Sequence, residues 1–495
     1  MQRGTSLIGT IASELRAHPL ITLGFSLFWT WVWLVVQSSA LNAGVFAGLM
    51  PGIGRWVIPL TAYGMTFLVM GILFRQLRFL PYQKGYLILL ACMTSIGVAI
   101  NATFTFYPTI EPLVTTALLV LGGLLMGTGT AMIHMEWGRI LGRLGPRKTV
   151  IHGALGTCGA MILIFILFLL SDIVTWCFVA FLPIGCIATI ILQRRTLVVV
   201  ELPSANVKLN VPWRFLCTSF IQGTAFGILQ TLLLTSSASA QTTAITVVGS
   251  LIGAAAVLVV VLHFRWDFNQ LIYQVGFVLL ALSFVLMALA SSVFIGGWLI
   301  NAIGYRFIDI LMWALCTHLV KQRHLPTNWV FAITTCALLM GQVFGALMGA
   351  VVEMLPLTAP TVISDGGGTS LLASLMVFII LTSALLLFNK DNLQVGWGMI
   401  RPGDEDDQTD SFQIRCTLAT DGFELTPRET ELFALLAQGM NRDDISTRLY
   451  LSRETVKTHT RNIYRKMDLH SQEQVIDLVA QQQAVAVLSQ IKTTL

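Results

Sequence analysis

The chain has 495 residues, of which 55% are hydrophobic and 11% charged, with a formal net charge of +5. A water-soluble domain carries about a quarter charged residues, so a soluble globule is excluded for most of the length. The deficit is uneven: residues 1–388 hold 18 basic and 9 acidic side chains, residues 389–495 hold 12 and 16, and composition alone sets a boundary near Asn389. The eight cysteines are scattered without a C-x-x-C pair. They read as small apolar residues within spans, not as a metal site or a disulfide framework.

A membrane span needs about 20 mostly apolar residues. Twelve such segments follow one another near 20–40, 55–74, 86–106, 113–133, 150–170, 174–192, 213–234, 243–263, 271–290, 294–318, 328–350 and 370–388. The first is too long for a signal sequence and is read as an uncleaved helix. Basic residues fall on alternate connections: Arg3 and Arg16; Arg75, Arg78 and Lys84; Arg139, Arg143, Arg147 and Lys148; Arg194, Arg195, Lys208 and Arg214; Arg265; Lys321 and Arg323. The opposite set holds Arg55 alone. The positive-inside rule then places the N-terminus in the cytoplasm, and twelve crossings return the chain there at Asn389. The expected location is the inner membrane of a bacterial cell, multi-pass, with both termini cytoplasmic.

The longest internal cytoplasmic connection, about 193–212, divides the spans six and six. In this plan the chain resembles the major facilitator superfamily. The resemblance is architectural. The Gly/Arg-rich segment from Gly138 to Lys148 is similar to that family's cytoplasmic loop motif but joins spans four and five, where the family usually has it between two and three. No transport residues are carried over. Facilitator-like folds line a central cavity with spans one, four, seven and ten, which here offer Trp29, Trp33 and Gln37; His134 and Glu136; Gln222 and Gln230; and Asn301, Tyr305, Arg306 and Asp309.

Arg306 and Asp309 lie three residues apart on one helical face. Charge at that depth is expensive unless paired or facing a cavity. They are either a self-satisfied structural pair or a ligand-recognition site. The candidate ligand set is Arg306, Asp309, Tyr305, Asn301, Trp29 and Gln230, suited to a small aromatic or anionic molecule. No phosphate-binding loop, paired catalytic carboxylates or nucleophile elbow appears, so nothing points to an enzyme, and no motif asks for a cofactor.

Residues 389–424 are acidic, with Gly403-Asp404-Glu405-Asp406-Asp407 at their centre, and read as a flexible tether. The acidic run is a candidate to fold back on a basic helix further along the chain and compete with its anionic partner. Beyond it, capping chemistry divides 425–485 into four helices. Thr426-Pro427-Arg428-Glu429 is a capping box with Pro at the first helical position, and Gly439 stops the helix it opens. Asn441 caps a second helix and Ser452 a third, which runs to about Met467. Ser471 to Gln474 opens a fourth with Val475, Leu478 and Val479 on one face. The tight turn at Tyr450-Leu451 between the second and third makes a helix-turn-helix. The third helix carries Arg453, Lys457, Arg461, Arg465 and Lys466 against Glu454 alone. Such a helix fits the major groove of DNA.

From Leu425-Thr426-Pro427-Arg428-Glu429, through Leu435-Leu436-Ala437-Gln438-Gly439 and Leu451-Ser452-x-Glu454-Thr455-Val456-Lys457-Thr458-His459, to Asn462-Ile463-Tyr464-Arg465-Lys466-Met467, the segment resembles the LuxR-type DNA-binding domain. The resemblance covers about 60 residues, an eighth of the chain. It implies that Lys457, Thr458 and Arg461 face base edges, that Thr455, Arg465 and Lys466 hold phosphate, and that the fourth helix pairs two protomers through Val475, Leu478 and Val479. Arg442-Asp443-Asp444 and Gln472 depart from the family's pattern, which puts phosphate contacts at the second helix in doubt.

The expected fold class is therefore all-α: a polytopic bundle of about twelve spans (1–388), an acidic linker (389–424) and a four-helix helix-turn-helix domain (425–495). The expected function is a membrane-embedded one-component transcription regulator that senses a small ligand among its spans and binds double-stranded promoter DNA as a homodimer. The alternative is a secondary transporter with a fused DNA-binding regulatory tail. In the family's usual members a receiver or a soluble ligand-binding domain supplies the input, and no such segment precedes residue 425.

Overall fold

The computed structural model describes residues 7–37, 53–73, 84–106, 112–194, 211, 213–235, 239–264, 268–289, 294–322, 325–354, 367–387, 416, 419–420, 423–437, 439–449 and 451–479. Every regular element among them is helical. The chain divides into two compact units, one holding the apolar helices and the other the C-terminal helices. The acidic run 404–407, the turn residue Tyr450, the segment 480–495 and the loop cations Arg3, Arg75, Arg78, Arg195, Lys208, Arg265 and Arg323 lie outside the described residues.

In the first unit a short amphipathic helix, α1 (Leu7–Ala17), precedes α2 (Pro19–Trp31), whose last turn continues as a π-helix over Val32–Gln37. The axis bends by 88° between them. Pro19 is the cause: it has no N–H to give to the preceding turn, and it starts α2 instead. Then follow α3 (Ile53–Ile72), α4 (Lys84–Phe106), α5 (Pro112–Leu144), α6 (Pro146–Phe168), α7 (Asp172–Arg194), α8 (Trp213–Thr235) and α9 (Ser239–Val259). After a π-helical turn at Leu271–Gly276 come α10 (Phe277–Leu289), α11 (Phe294–Gln322), α12 (Thr327–Met354) and α13 (Gly367–Leu387). Helices α2 to α13 coincide with the twelve apolar segments. Among the described residues, seven are long and apolar enough to cross a membrane, or eight if the bent α1–α2 pair counts as one span.

Lengths and glycines set the packing. Helix α5 has 33 residues, about 50 Å at 1.5 Å each, against a hydrocarbon layer of about 30 Å. Its C-terminal turns, with Glu136, Arg139 and Arg143, therefore have length to spare beyond the lipid. Gly145, at φ 84°, and Pro146 then reverse the chain into α6. Helix α11 is the most enclosed: 83% of its apolar window is buried, against 44–61% for the other six long spans. Its charges consequently face protein, not lipid. Helices α8 and α12 touch backbone to backbone. A β-carbon at Gly223, Gly227, Gly341 or Gly345 would collide with the carbonyl oxygen of Leu338, Gln342, Phe220 or Thr224 respectively. Small residues four apart permit this approach in membranes.

The second unit comprises α14 (Pro427–Ala437), α15 (Arg442–Leu449), α16 (Arg453–Met467) and a fourth helix, α17, over 472–479. Leu432, Phe433, Leu436, Ile445, Leu449, Val456, Ile463, Met467, Val475 and Val479 make its core, joined by Cys416 and Ala419 from the preceding segment.

Candidate nucleic-acid interface and membrane cavity

The caps read from the sequence are formed. Glu429 Oε2 accepts from the Thr426 N–H at 2.9 Å, and Glu429 N–H donates to Thr426 Oγ1 at 3.3 Å. Gly439 takes φ 78°, so its N–H reaches Leu436 O and the Met440 N–H reaches Leu435 O. That is the Schellman closure only a left-handed residue allows. Asn441 Oδ1 accepts from Asp444 N–H at 2.8 Å, and Ser452 Oγ from Thr455 N–H at 3.1 Å. Arg428 donates to the Leu449 carbonyl at 2.6 Å and so ties α14 to the end of α15. Leu451 N–H closes the turn on Ser446 O at 3.0 Å.

These restraints fix the rotation of α16. Val456, Thr460, Ile463 and Met467 point inward, which leaves Arg453, Lys457, Thr458, Arg461 and Arg465 exposed on the other side. Lys457 meets Glu454 only loosely, at 3.8 Å, and Arg453 meets Asp443 at 2.8 Å, both in solvent. Thr455 is half-buried and its hydroxyl pairs with Ser452 at 2.8 Å.

Four residues stand where the sequence reading did not expect them. Lys466, expected on phosphate, donates to Glu429 Oε2 at 2.8 Å and to the Glu424 carbonyl at 2.7 Å, so its amine pins α16 to the start of α14. Burial alone would raise the Glu429 carboxyl, but the bonds from Lys466 and Thr426 outweigh it and hold the group below the usual carboxylate range. Gln472, expected as a weakened phosphate contact, donates to the Leu436 and Met440 carbonyls at 3.0 and 2.8 Å and caps the end of α14. Val475 and Val479, expected at a dimer face, are 0% and 4% exposed and fill the protomer's own core. Leu478 packs at the core's edge, while Glu473, Gln474, Ile476 and Asp477 are what α17 shows to solvent.

In the membrane unit a cavity of about 30 Å³ opens between α2, α3, α5, α8, α11 and α12, with Trp29, Tyr63, His134, Gln222, Asp309 and Trp313 in its wall. Space of that size holds about two water molecules. Asp309 Oδ2 accepts from Arg306 Nη1 at 3.0 Å, and the guanidinium lies 4.9 Å from the Trp29 ring centre. Both charges are buried. Arg306 itself sits behind the wall. Tyr305 is also set back: its hydroxyl accepts from Gln342 at 3.1 Å and its ring packs on Phe226. Asn301 donates to Ser283 on α10 at 3.0 Å, turned away from the cavity. Gln230 is buried on α8 outside the wall. Of the six candidate ligand residues, the cavity therefore gathers Trp29 and Asp309. The side chain of Gln37 lies outside the described residues. Sequence reasoning missed Tyr63 on α3 and Phe331 on α12. A phenol in mid-span was the available signal for Tyr63; Phe331 had none. Toward the basic loop, Glu136 and Arg139 form a second buried ion pair, and Arg139 Nε donates to Asn328 on α12 at 2.9 Å.

Comparison with known proteins bears on each unit separately. Residues 424–479 match the family model described as bacterial regulatory proteins, luxR family. The response regulatory protein YgeK of Escherichia coli is 48% identical over 48 residues, 10% of this chain and 33% of that protein. The nitrate/nitrite response regulator NarL of Escherichia coli is 40% identical over 57 residues, 12% of this chain and 26% of that protein. The chain thus spans a third or less of the length of these relatives. Among solved structures, a bacterial homologue of the iron transporter ferroportin aligns with TM-score 0.54 and 11% identity over 75% of this chain and 98% of that one. The human organic anion transporter TETRAN aligns at 0.51 and 12%, over 76% and 99%. The major facilitator superfamily transporter FucP aligns at 0.49 and 13%, over 76% and 100%. The C-terminal unit is a LuxR-family helix-turn-helix domain, and the membrane unit has the fold of these transporters.

Proposed function

We propose that the chain is a membrane-embedded one-component transcription regulator, in which a small ligand held among the spans controls promoter binding by α16. The observation that carries this reading is the exposed Lys457–Arg461–Arg465 stripe on a helix-turn-helix unit within one chain with an apolar helical bundle. Lys457, Thr458 and Arg461 face base edges of double-stranded DNA, Arg465 and Thr455 hold phosphate, and Lys466 supports the helix from behind. In this reading the protein lies in the bacterial inner membrane with twelve spans and both termini cytoplasmic, which the alternation of basic connections supports. On DNA it pairs as a homodimer through the solvent face of α17, with Ile476 and Leu478 as its apolar part.

Footprinting with the full chain in nanodiscs tests the reading. The expected result is a protected site with log-log salt dependence and loss of protection for Lys457→Ala with Arg461→Ala. Equal affinity for the protected site and a scrambled duplex overturns it. A second reading, a transporter with a regulatory tail, draws support from the fold that the membrane unit shares with the ferroportin homologue and TETRAN, both transporters. Substrate counterflow in proteoliposomes, abolished by Arg306→Ala, would favour that reading.

A further inference from the structure

The cavity is unusual in how its charge is arranged. Five rings wall it: Trp29, Tyr63, His134, Trp313 and Phe331. One carboxylate, Asp309, faces it, and that carboxylate is already matched by Arg306 from behind at 3.0 Å. The site as a whole carries no net charge. Two wall residues hold a buried polar atom without a hydrogen-bond partner among the described residues: Thr334, at its hydroxyl on α12, and His134. His134 is 4% exposed, its Nδ1 is taken by the Tyr63 hydroxyl, and its ring stacks on Trp313 at 4.4 Å and 14°, yet its Nε2 has no partner among the described residues. Just behind, the Gln342 amide donates to Tyr305 while its Oε1 is likewise unmet. Buried polar atoms without partners are rare, and each asks for a group that satisfies it. The Tyr63 bond and the Trp313 stack hold the imidazole still, so its free nitrogen is a fixed hydrogen-bonding point among apolar rings.

We propose that the cavity's ligand is an uncharged ring-bearing molecule whose single polar group meets His134 Nε2. This rests on the ligand-sensing reading above and narrows it: the anionic class admitted by the sequence drops out. An anion or a cation would enter a site withdrawn from water and find its only wall charge already neutralised, so its desolvation would go uncompensated. A flat apolar ring is what stacked and edge-on aromatic walls accept. The cavity's present size admits about two water molecules, so taking in a ring separates helices. That separation is the mechanical event a sensor needs.

The test uses the full chain in nanodiscs and four probes that share a benzene ring: toluene, benzyl alcohol, benzoate and benzylammonium. The readout is the thermal midpoint, taken as the difference from a His134→Phe chain, which cancels probe effects on the lipid. Benzyl alcohol raises the wild-type midpoint over that control; toluene, benzoate and benzylammonium do not. Asp309→Asn leaves Arg306 unmatched and transfers the preference to benzoate. The double variant Arg306→Gln with Asp309→Asn restores neutrality, and with it the preference for benzyl alcohol. Wild-type protein stabilised as much by benzoate or benzylammonium as by benzyl alcohol overturns the proposal and leaves ligand sensing standing. So does a double variant with altered charge preference, which covers the case where Asp309→Asn alone fails to fold. No response to any probe in any chain counts against the sensing reading as well.

Discussion

In the membrane unit Arg306 is 2% exposed and meets one carboxylate at 3.0 Å, whereas in the C-terminal unit Lys457 and Arg461 stand in solvent on the outer face of α16. The two units place their charged residues to opposite ends. The bundle matches its two deeply buried cations internally, Arg306 with Asp309 and Arg139 with Glu136, because an unpaired ion among its helices has nowhere to go. The helix-turn-helix unit pairs the cations that support its fold, Lys466 and Arg428, and sets Lys457, Arg461 and Arg465 in solvent on one helix. Charge is therefore turned inward in one unit and, on α16, outward in the other.

That contrast breaks first where backbones touch. Gly227→Leu drives a side chain into the Gln342 carbonyl, and the expected result is loss of folded protein from the membrane, a cost of about 3 kcal/mol or more. Gly296→Ala, with open space around it, leaves abundance unchanged in the same assay. Next is the buried pair: Arg306→Leu should cost about 3–5 kcal/mol, with most of it recovered in Arg306→Leu/Asp309→Leu. Midpoints from a double-mutant cycle measure it, and additive losses would mean the pair is not coupled. In the other unit, Arg461→Ala should cost about 1–3 kcal/mol of DNA affinity with no loss of stability.

Lys466→Ala sharpens the comparison, because both roles predict weaker binding but by different routes. As a pin on Glu429 it should lower the stability of the C-terminal unit by about 1–3 kcal/mol while the salt slope of DNA binding stays put. A slope lower by about one would return it to phosphate. Glu429 also gives a pH signature. Its folded carboxyl is held below its unfolded value near 4.5, so its contribution is complete above that value and is lost as pH falls through and below it. Exchange protection of α14, corrected for intrinsic rates, should decline over that range and decline less in Glu429→Gln.

Legibility differed between the units for a physical reason. Caps at Thr426, Asn441 and Ser452 are local: a hydroxyl or amide bonds a backbone N–H three residues on, and sequence spacing contains the whole event. The twelve apolar segments were legible for a similar reason, since bilayer thickness acts on each alone. Side-chain facing was not. An apolar stripe such as Val475–Leu478–Val479 has the same period whether it covers its own core or a partner, and here it covers the core. On α11 the stripe Asn301–Tyr305–Asp309 advances about 40° with every four residues. Asp309 reaches the cavity while Asn301, two steps back, has rotated onto Ser283 of α10. Choosing among these faces needs the neighbouring helices, which only the folded chain supplies.

The interlocked glycines of α8 and α12 bear on how the membrane unit can move. Helices meshed carbonyl-to-glycine at four-residue intervals cannot creep past each other; the next stable register is a full turn away, about 5.4 Å. The two behave as one beam. On the α8–α12 side, a widening of the cavity would swing that beam as a piece, carrying Phe331 and Gln222 together away from Tyr63 and His134 on α3 and α5.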